Sequence, residues 1–206
     1  MNIRWFKSLI LASILLCISA AESPAQTIST AAGAGSQGSQ GDGGVPTAAY
    51  LNLPSAVWSD TLGTLFIADT GNNRIRRINA ARDSIATFAG TGSAAFSGDN
   101  ADASSAALNA PGGVFVDSTG IVYVADTGNH RIRRIDTSGI ITTIAGKDTT
   151  AGLFIDDTLA TQATLSAPTA VFARGGFIYI ADTGNNRVRR IDNGGFITTL
   201  AGKDTT

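Results

Sequence analysis

Aspartate and arginine side chains recur at a fixed spacing, and they are the residues of this chain best suited to charge chemistry. The peptide Ala125 to Ile135 reads ADTGNHRIRRI, and nearly identical peptides begin at Ala68 and Ala181. Carboxylates and guanidinium groups that lie close together form charge-assisted hydrogen bonds, whereas an unpaired charge on a buried strand is strongly destabilising. The motif residues are Asp69, Arg74, Arg76, Asp126, Arg131, Arg133, Asp182, Arg187 and Arg189.

We predict that the aspartate of each motif pairs with its arginines and fixes the register of neighbouring strands. Alternation along a strand places Arg131 and Arg133 on one face, and Ile132 and Arg134 on the other. Asp126, at the end of the preceding apolar run, is the expected partner. A basic rim that faces a ligand is the alternative.

Four further aspartates lie in glycine-bearing loops and offer oxygen atoms to a ligand or to Ca²⁺. They are Asp42, Asp99, Asp156 and Asp157. Their spacing matches neither an EF-hand nor a nonapeptide calcium repeat. Solvated loop acids are therefore the favoured interpretation, and these residues stay as candidates for ligand binding.

Catalytic and metal-binding residues are scarce in this sequence. His130 is the only histidine, and it occupies the repeat position held by Asn73 and Asn186, which favours a turn residue over a ligand. Cys17 is the only cysteine, and no Gly-x-Ser-x-Gly nucleophile motif is present. The sequence therefore predicts no catalytic residue, no metal site and no cofactor.

The elements that position these residues are short strands. Pro54, Pro111 and Pro168 open three units, each with four apolar runs rich in Val, Ile, Phe, Tyr and Thr. Glycine, asparagine, aspartate and serine separate the runs, as is typical of antiparallel strands joined by tight turns. No amphipathic window of helical length escapes a glycine or proline. The sequence therefore predicts an all-β fold.

The repeated unit resembles the NHL repeat: a proline, an apolar run, Ala-Asp-Thr-Gly-Asn, an arginine-rich run, and in two copies Ile-Thr-Thr-(Ile/Leu)-Ala-Gly. This resemblance implies a β-propeller of NHL type, with three four-stranded antiparallel blades of a ring that is commonly six-bladed. It also implies a family used mostly for binding. The three blades are expected at residues 54–90, 111–146 and 168–202, within a propeller region spanning 54–206.

The remainder of the chain divides into a leader and loops. Residues 1–25 have the layout of a secretory signal peptide, because Arg4 and Lys7 precede an apolar run that is too short for a comfortable membrane span. Residues 26–53 form a Gly/Ser-rich loop that leads into the first repeat. Each later blade also follows a long loop, and we favour a covering arm over a ligand-binding role for these loops.

The composition and the repeats together predict a secreted binding or scaffolding module without catalysis, whose partner is a protein or an extracellular carbohydrate. A formal net charge of −1 argues against a nucleic-acid-binding surface. The alternative is a lactonase-like or amidating-lyase-like hydrolase or lyase, with its catalytic residues in further blades. We interpret the sequence as the N-terminal part of a longer protein, and ring closure by a second chain is the alternative.

Overall fold

We describe the fold from a computed structural model, and the residues it describes are 27–148 and 155–202. The leader predicted over residues 1–25 lies outside this part of the chain. Within the described residues, no helix is long and apolar enough to cross a membrane.

Three antiparallel sheets, which we call blades 1, 2 and 3, make up the described chain. Blade 1 contains β1 (Pro54–Ser59), β2 (Leu65–Asp69), β3 (Arg74–Ile78) and β4 (Ile85–Ala89). Blade 2 contains β5 (Ala101–Asp102), β6 (Gly113–Val116), β7 (Val122–Asp126), β8 (Arg131–Ile135) and β9 (Ile140–Ala145). Blade 3 contains β10 (Thr158–Leu159), β11 (Ala170–Arg174), β12 (Phe177–Asp182), β13 (Arg187–Ile191) and β14 (Phe196–Ala201). The four longer strands of each blade follow one another as a meander, so the predicted all-β fold is confirmed.

Blades 2 and 3 differ from the prediction, because each has a fifth strand of two residues. β5 pairs with the outer strand β9, with Ala101 opposite Ile141, and β10 pairs with β14 in the same way. These short strands belong to the long loops, which run along the outer edge of each blade and satisfy its backbone groups. A two-residue run is too short to show alternation, which is why the sequence pattern did not predict it.

The blades stack face to face, and apolar clusters fill the space between them. The cluster between blades 1 and 2 includes Phe66, Ile75, Val114, Val124 and Ile135. The cluster between blades 2 and 3 includes Tyr123, Ile132, Leu165, Val171 and Ile180. Full burial of each aliphatic side chain contributes roughly 1.5–3 kcal/mol, so these contacts are the main force that holds the blades together. The strands β1, β6 and β11 lie side by side and form the inner edge of the stack.

Candidate functional site

Asp126 ends β7, and its buried carboxylate has hydrogen-bond partners on both oxygens. Oδ1 accepts a hydrogen bond from the backbone N–H of Asn109 at 2.8 Å, and Oδ2 accepts one from the side-chain amide of Asn129 at 2.8 Å. Nη1 of Arg133 lies 3.4 Å from Oδ2. The carboxylate therefore joins the loop before β6, the turn after β7 and the strand β8. The same set of contacts surrounds Asp69 and Asp182.

A second aspartate approaches the same arginine from the preceding loop. Oδ1 of Asp99 lies 2.8 Å from Nη2 of Arg133, so this buried guanidinium lies between two carboxylates. The equivalent ion pairs are Asp42 with Arg76 and Asp156 with Arg189. Three of the four loop candidates thus have a cationic partner within their own blade, and the structure does not bring them together around one ion. This ion pairing differs from the expectation of solvated acids, because each loop folds back onto its buried arginine.

Asp157, the fourth loop candidate, has a different environment. Its backbone is left-handed, with φ of 56°, and its N–H donates to the carbonyl of Ile197 at 2.9 Å. Among residues 27–148 and 155–202, no group of three or more His, Cys, Asp or Glu side chains is arranged to hold a metal ion.

Burial affects the aspartates unequally. It raises the pKa of Asp126, and the hydrogen bond from Asn109 acts in the opposite direction. Burial also acts to raise the pKa of Asp42, but hydrogen bonding with Thr87 and the charge of Arg76 outweigh it, so the pKa of Asp42 is lowered. The ionised form of Asp126 therefore depends on the donors around it.

Arg131 is held inside its blade by an aromatic ring and a carbonyl. Its guanidinium lies 3.8 Å from the ring centroid of Phe96, and Nη2 donates to the carbonyl of Lys147 at 2.6 Å. Burial, and then the charge of Arg133, lowers the pKa of Arg131. Among the described residues, Arg131 therefore does not form the predicted ion pair with Asp126, which contacts Arg133 instead. Because the cation faces Phe96 and is buried, Arg131 does not form a basic rim either.

The turn between β7 and β8 is a 3-10 turn (Thr127–Asn129) that ends at His130, whose backbone is left-handed with φ of 55°. Gly128 within this turn is not left-handed. A Cβ at Gly128 would lie 2.5 Å from Cγ of Asn109, so glycine is required here for the close approach of the preceding loop. The positive φ therefore belongs to His130, which follows this turn, and not to the glycine within it.

His130 also connects two blades. Its Nδ1 accepts a hydrogen bond from the backbone N–H of Ala167 at 2.8 Å, and Oδ1 of Asn73 accepts the equivalent bond from Ala110 at 2.8 Å. Asparagine and neutral histidine can occupy the same position because each side chain places one acceptor atom, Oδ1 or Nδ1, at a similar distance from the backbone. Burial, and then the charge of Arg131, lowers the pKa of His130, which favours this neutral acceptor form.

A groove lined with aromatic side chains lies at the opposite end of the strands from Asp126. The turns that join β1 to β2, β6 to β7 and β11 to β12 form it, and its volume is about 620 Å³. We call it the inner-turn groove, and its aromatic residues are Trp58, Phe115, Tyr123, Phe172 and Phe177. The buried Phe115 ring lies between two exposed rings, with centroid distances of 4.7 Å to Trp58 and 4.8 Å to Phe172.

Charged residues border the inner-turn groove at one repeated position, held by Asp60, Asp117 and Arg174. Each aspartate is fixed by its own turn, because its Oδ1 accepts the backbone N–H of the residue two positions later, at 2.9 and 2.8 Å. Arg174 is exposed. Burial, and then the charge of Asp117, raises the pKa of Tyr123, so its hydroxyl stays protonated as a donor.

The sequence predictions missed the inner-turn groove. A pattern was available, because Trp58, Phe115 and Phe172 are 57 residues apart and occupy one position in the first run of each unit. Recurring aromatic residues in an apolar run are equally typical of a core, so only the structure distinguishes the two exposed rings from the buried one.

Comparison with known proteins identifies the repeats. A family model described as the Teneurin NHL domain matches residues 86–153. NHL repeat-containing protein 2 of Gallus gallus is 37% identical over 93 residues, which cover 43% of this chain and 12% of that protein. The chain belongs to the NHL repeat family.

One further relative and one solved structure cover more of the chain. Teneurin-1 of Mus musculus is 32% identical over 158 residues, which cover 68% of this chain and 6% of that protein. The chain thus spans only a small part of the curated relatives that it matches. Among solved structures, a nidogen/laminin complex superposes with a TM-score of 0.50 at 16% identity, covering 76% of this chain and 48% of the matched one. The blades of this NHL repeat chain are therefore those of a β-propeller.

Proposed function

We propose that this NHL repeat chain is a secreted, non-catalytic module that binds another protein through the inner-turn groove. The observation that carries the proposal is the pair of exposed rings, Trp58 and Phe172, that flank the buried Phe115 at the inner edge of the blades. Rigid aromatic side chains supply large contact areas at small entropic cost, and tryptophan and arginine are enriched where interfaces are tightest.

The charged groups of the groove support a binding role rather than a catalytic one. Asp60 and Asp117 are tied to their own turns, so they fix the shape of the rim. Arg174 is the exposed cation beside the aromatic rings, and it suits a partner that carries an acidic side chain next to an apolar one. The buried ion pairs around Asp126 lie at the other end of the strands and act within the blades.

Secretion is the second part of the proposal. It rests on the N-terminal composition, in which Arg4 and Lys7 precede the apolar run from Ser8 to Ala20. N-terminal sequencing of the protein recovered outside the cytoplasm tests it, and we expect the first residue to lie shortly after that run. Recovery of the chain with its original N-terminus inside the cell would contradict secretion.

The binding role is tested with arrays of immobilised peptides and of glycans, probed with the full chain. We expect peptides with neighbouring apolar and acidic residues to be bound. Removal of the exposed ring in Phe172→Ala should weaken binding by about tenfold or more, as at an interface hot spot. Leu159→Ala is the matched control, since Leu159 is an exposed apolar residue on β10, at the outer edge of blade 3 and away from the groove.

Three results would overturn the proposal. Binding of the chain to glycans but not to peptides would show that the partner is a carbohydrate and not a protein. Equal binding by Phe172→Ala and Leu159→Ala would show that the groove is not the contact surface. Turnover of lactone or ester substrates by the chain, lost on changing Asp60 or Asp117, would favour an enzyme.

A further inference from the structure

The inner-turn groove carries charges of opposite sign on its two sides. Asp60 of blade 1, Asp117 of blade 2 and Arg174 of blade 3 occupy one repeated position, two residues after the aromatic ring of each inner strand. The carboxylates therefore border blades 1 and 2, whereas the guanidinium borders blade 3. A groove with this pattern selects its partner by charge complementarity as well as by apolar contact.

The two aspartates use one carboxylate oxygen each to hold their own turns. Oδ1 of Asp60 accepts the backbone N–H groups of Leu62 and Thr64 at 2.9 and 2.8 Å. Oδ1 of Asp117 makes the equivalent pair of hydrogen bonds at 2.8 and 3.1 Å, and its Oδ2 lies 3.5 Å from the hydroxyl of Tyr123. Oδ2 of Asp60 has no hydrogen-bond partner in the part of the chain that the structure describes. This oxygen is therefore available to a donor on a partner.

Arg174 takes no part in its turn, because the chain is shorter there. It is the last residue of β11 and lies opposite Phe177, so only Gly175 and Gly176 connect the two strands. Both glycines have a positive φ, 62° and 82°, as a two-residue hairpin turn requires. The Arg174 side chain is exposed, and its guanidinium has no ion-pair or hydrogen-bond partner within residues 27–148 and 155–202. Its donors are therefore available to an anionic group.

The aromatic rings between these charges set the length of the site. The centroid of Phe115 lies 4.7 Å from that of Trp58 and 4.8 Å from that of Phe172, so the two outer rings are separated by at most the sum of these distances. An extended peptide advances about 3.3 Å per residue, so about three residues span the rings. Trp58 is 37% exposed beside Asp60, and the face of an indole ring attracts cations.

We infer that the occupant of the inner-turn groove is a peptide segment of mixed charge. In this segment, one basic and one acidic residue lie about three positions apart, with apolar residues between them. The basic side chain contacts Asp60 and the ring of Trp58, and the acidic side chain contacts Arg174. This inference rests on the proposed function, and it adds a basic residue and a spacing to the apolar and acidic residues expected of the partner.

Synthetic peptides of different charge pattern test the inference on the full chain. Each peptide has two central leucines, which are flanked by one lysine and one glutamate, by two glutamates, or by two lysines. The mixed peptide is made in both orders, so that either direction of the bound peptide is covered. Isothermal titration calorimetry measures the dissociation constants. We expect one order of the mixed peptide to bind about threefold or more tightly than the other two peptides, as partly exposed ion pairs would give.

Neutral variants assign each charge preference to a residue. Asp60→Asn removes the charge and keeps Oδ1 for the turn, so the mixed peptide should lose its advantage over the two-glutamate peptide. Arg174→Gln should abolish its advantage over the two-lysine peptide. Asp136→Asn is the matched control, because Oδ1 of Asp136 holds the turn between β8 and β9 in the same way, at 2.9 and 3.0 Å, outside the groove lining. This control should leave every preference unchanged.

Equal binding of all the peptides would overturn the inference, and so would unchanged preferences in both Asp60→Asn and Arg174→Gln. Equal changes in Asp60→Asn and Asp136→Asn would also overturn it, because the effect would then come from the turns or the net charge. Binding that is lost in Phe172→Ala but is insensitive to peptide charge would contradict this inference and leave the proposed function intact. Absence of binding to every peptide would contradict both.

Discussion

Oδ2 of Asp126 lies 3.4 Å from Nη1 of Arg133, and neither side chain is exposed to solvent. This pair is one half of a cluster in which Arg133 also contacts Asp99. The same arrangement occurs in each of the three blades of the described chain. A buried guanidinium between two carboxylates ties the loop before each blade to its central strands, so we expect the cluster to control stability.

Replacing Asp126 tests the cluster. We expect Asp126→Ala to lower the free energy of unfolding by about 3 kcal/mol, because Arg133 keeps a buried charge and several donors lose their acceptor. Asp99→Ala should lower the free energy of unfolding by less, because the Asp99 side chain is 32% exposed and water can replace part of its interaction with Arg133. Denaturant titration measures both, with the exposed Lys147→Ala as control. Equal effects of Asp126→Ala and Lys147→Ala would contradict a role in blade register.

His130 predicts a dependence of stability on pH. Its pKa in the folded chain is lowered from the ordinary 6.5, mainly by burial, so the unfolded chain takes up a proton at a higher pH than the folded one. Its contribution is therefore fully present above pH 6.5 and is lost as the pH falls from there towards the folded pKa. Protonation of Nδ1 would also remove the acceptor for Ala167.

Thermal unfolding at neutral and at mildly acidic pH measures this effect. We expect the unfolding temperature to fall on acidification, and to fall less in His130→Asn, because asparagine keeps an acceptor at this position and does not titrate. The buried aspartates are common to both proteins, so they do not contribute to the difference. Parallel losses in the two proteins would contradict the prediction.

Gly146 and Gly139 form a matched pair for testing close backbone packing. Both are left-handed, with φ of 94° and 86°, so alanine should cost each of them about 1 kcal/mol of backbone strain. A Cβ at Gly146 would also lie 2.3 Å from the carbonyl oxygen of His130, whereas nothing lies within 4 Å of a Cβ at Gly139. We expect Gly146→Ala to lower the unfolding midpoint clearly more than Gly139→Ala. Similar midpoints would show that the chain relaxes around the added methyl group.

Local patterns in the sequence were sufficient to predict the secondary structure. The period of about 57 residues, the short β-branched runs and the turn residues predict three units of short antiparallel strands, and the structure has them. The interchange of His130 with asparagine predicted a turn residue, and it ends the turn between β7 and β8. These features depend on neighbours within a few residues, which is why one sequence reveals them.

The tertiary structure alone decided the features that join distant segments. Asp99 is 34 residues before Arg133, and only the path of the loop brings the two together. The fifth strands and the exposure of Trp58 and Phe172 likewise depend on how whole blades stack. The alternation of side chains along a strand shows which residues share a face, but the neighbouring sheet determines whether that face is buried.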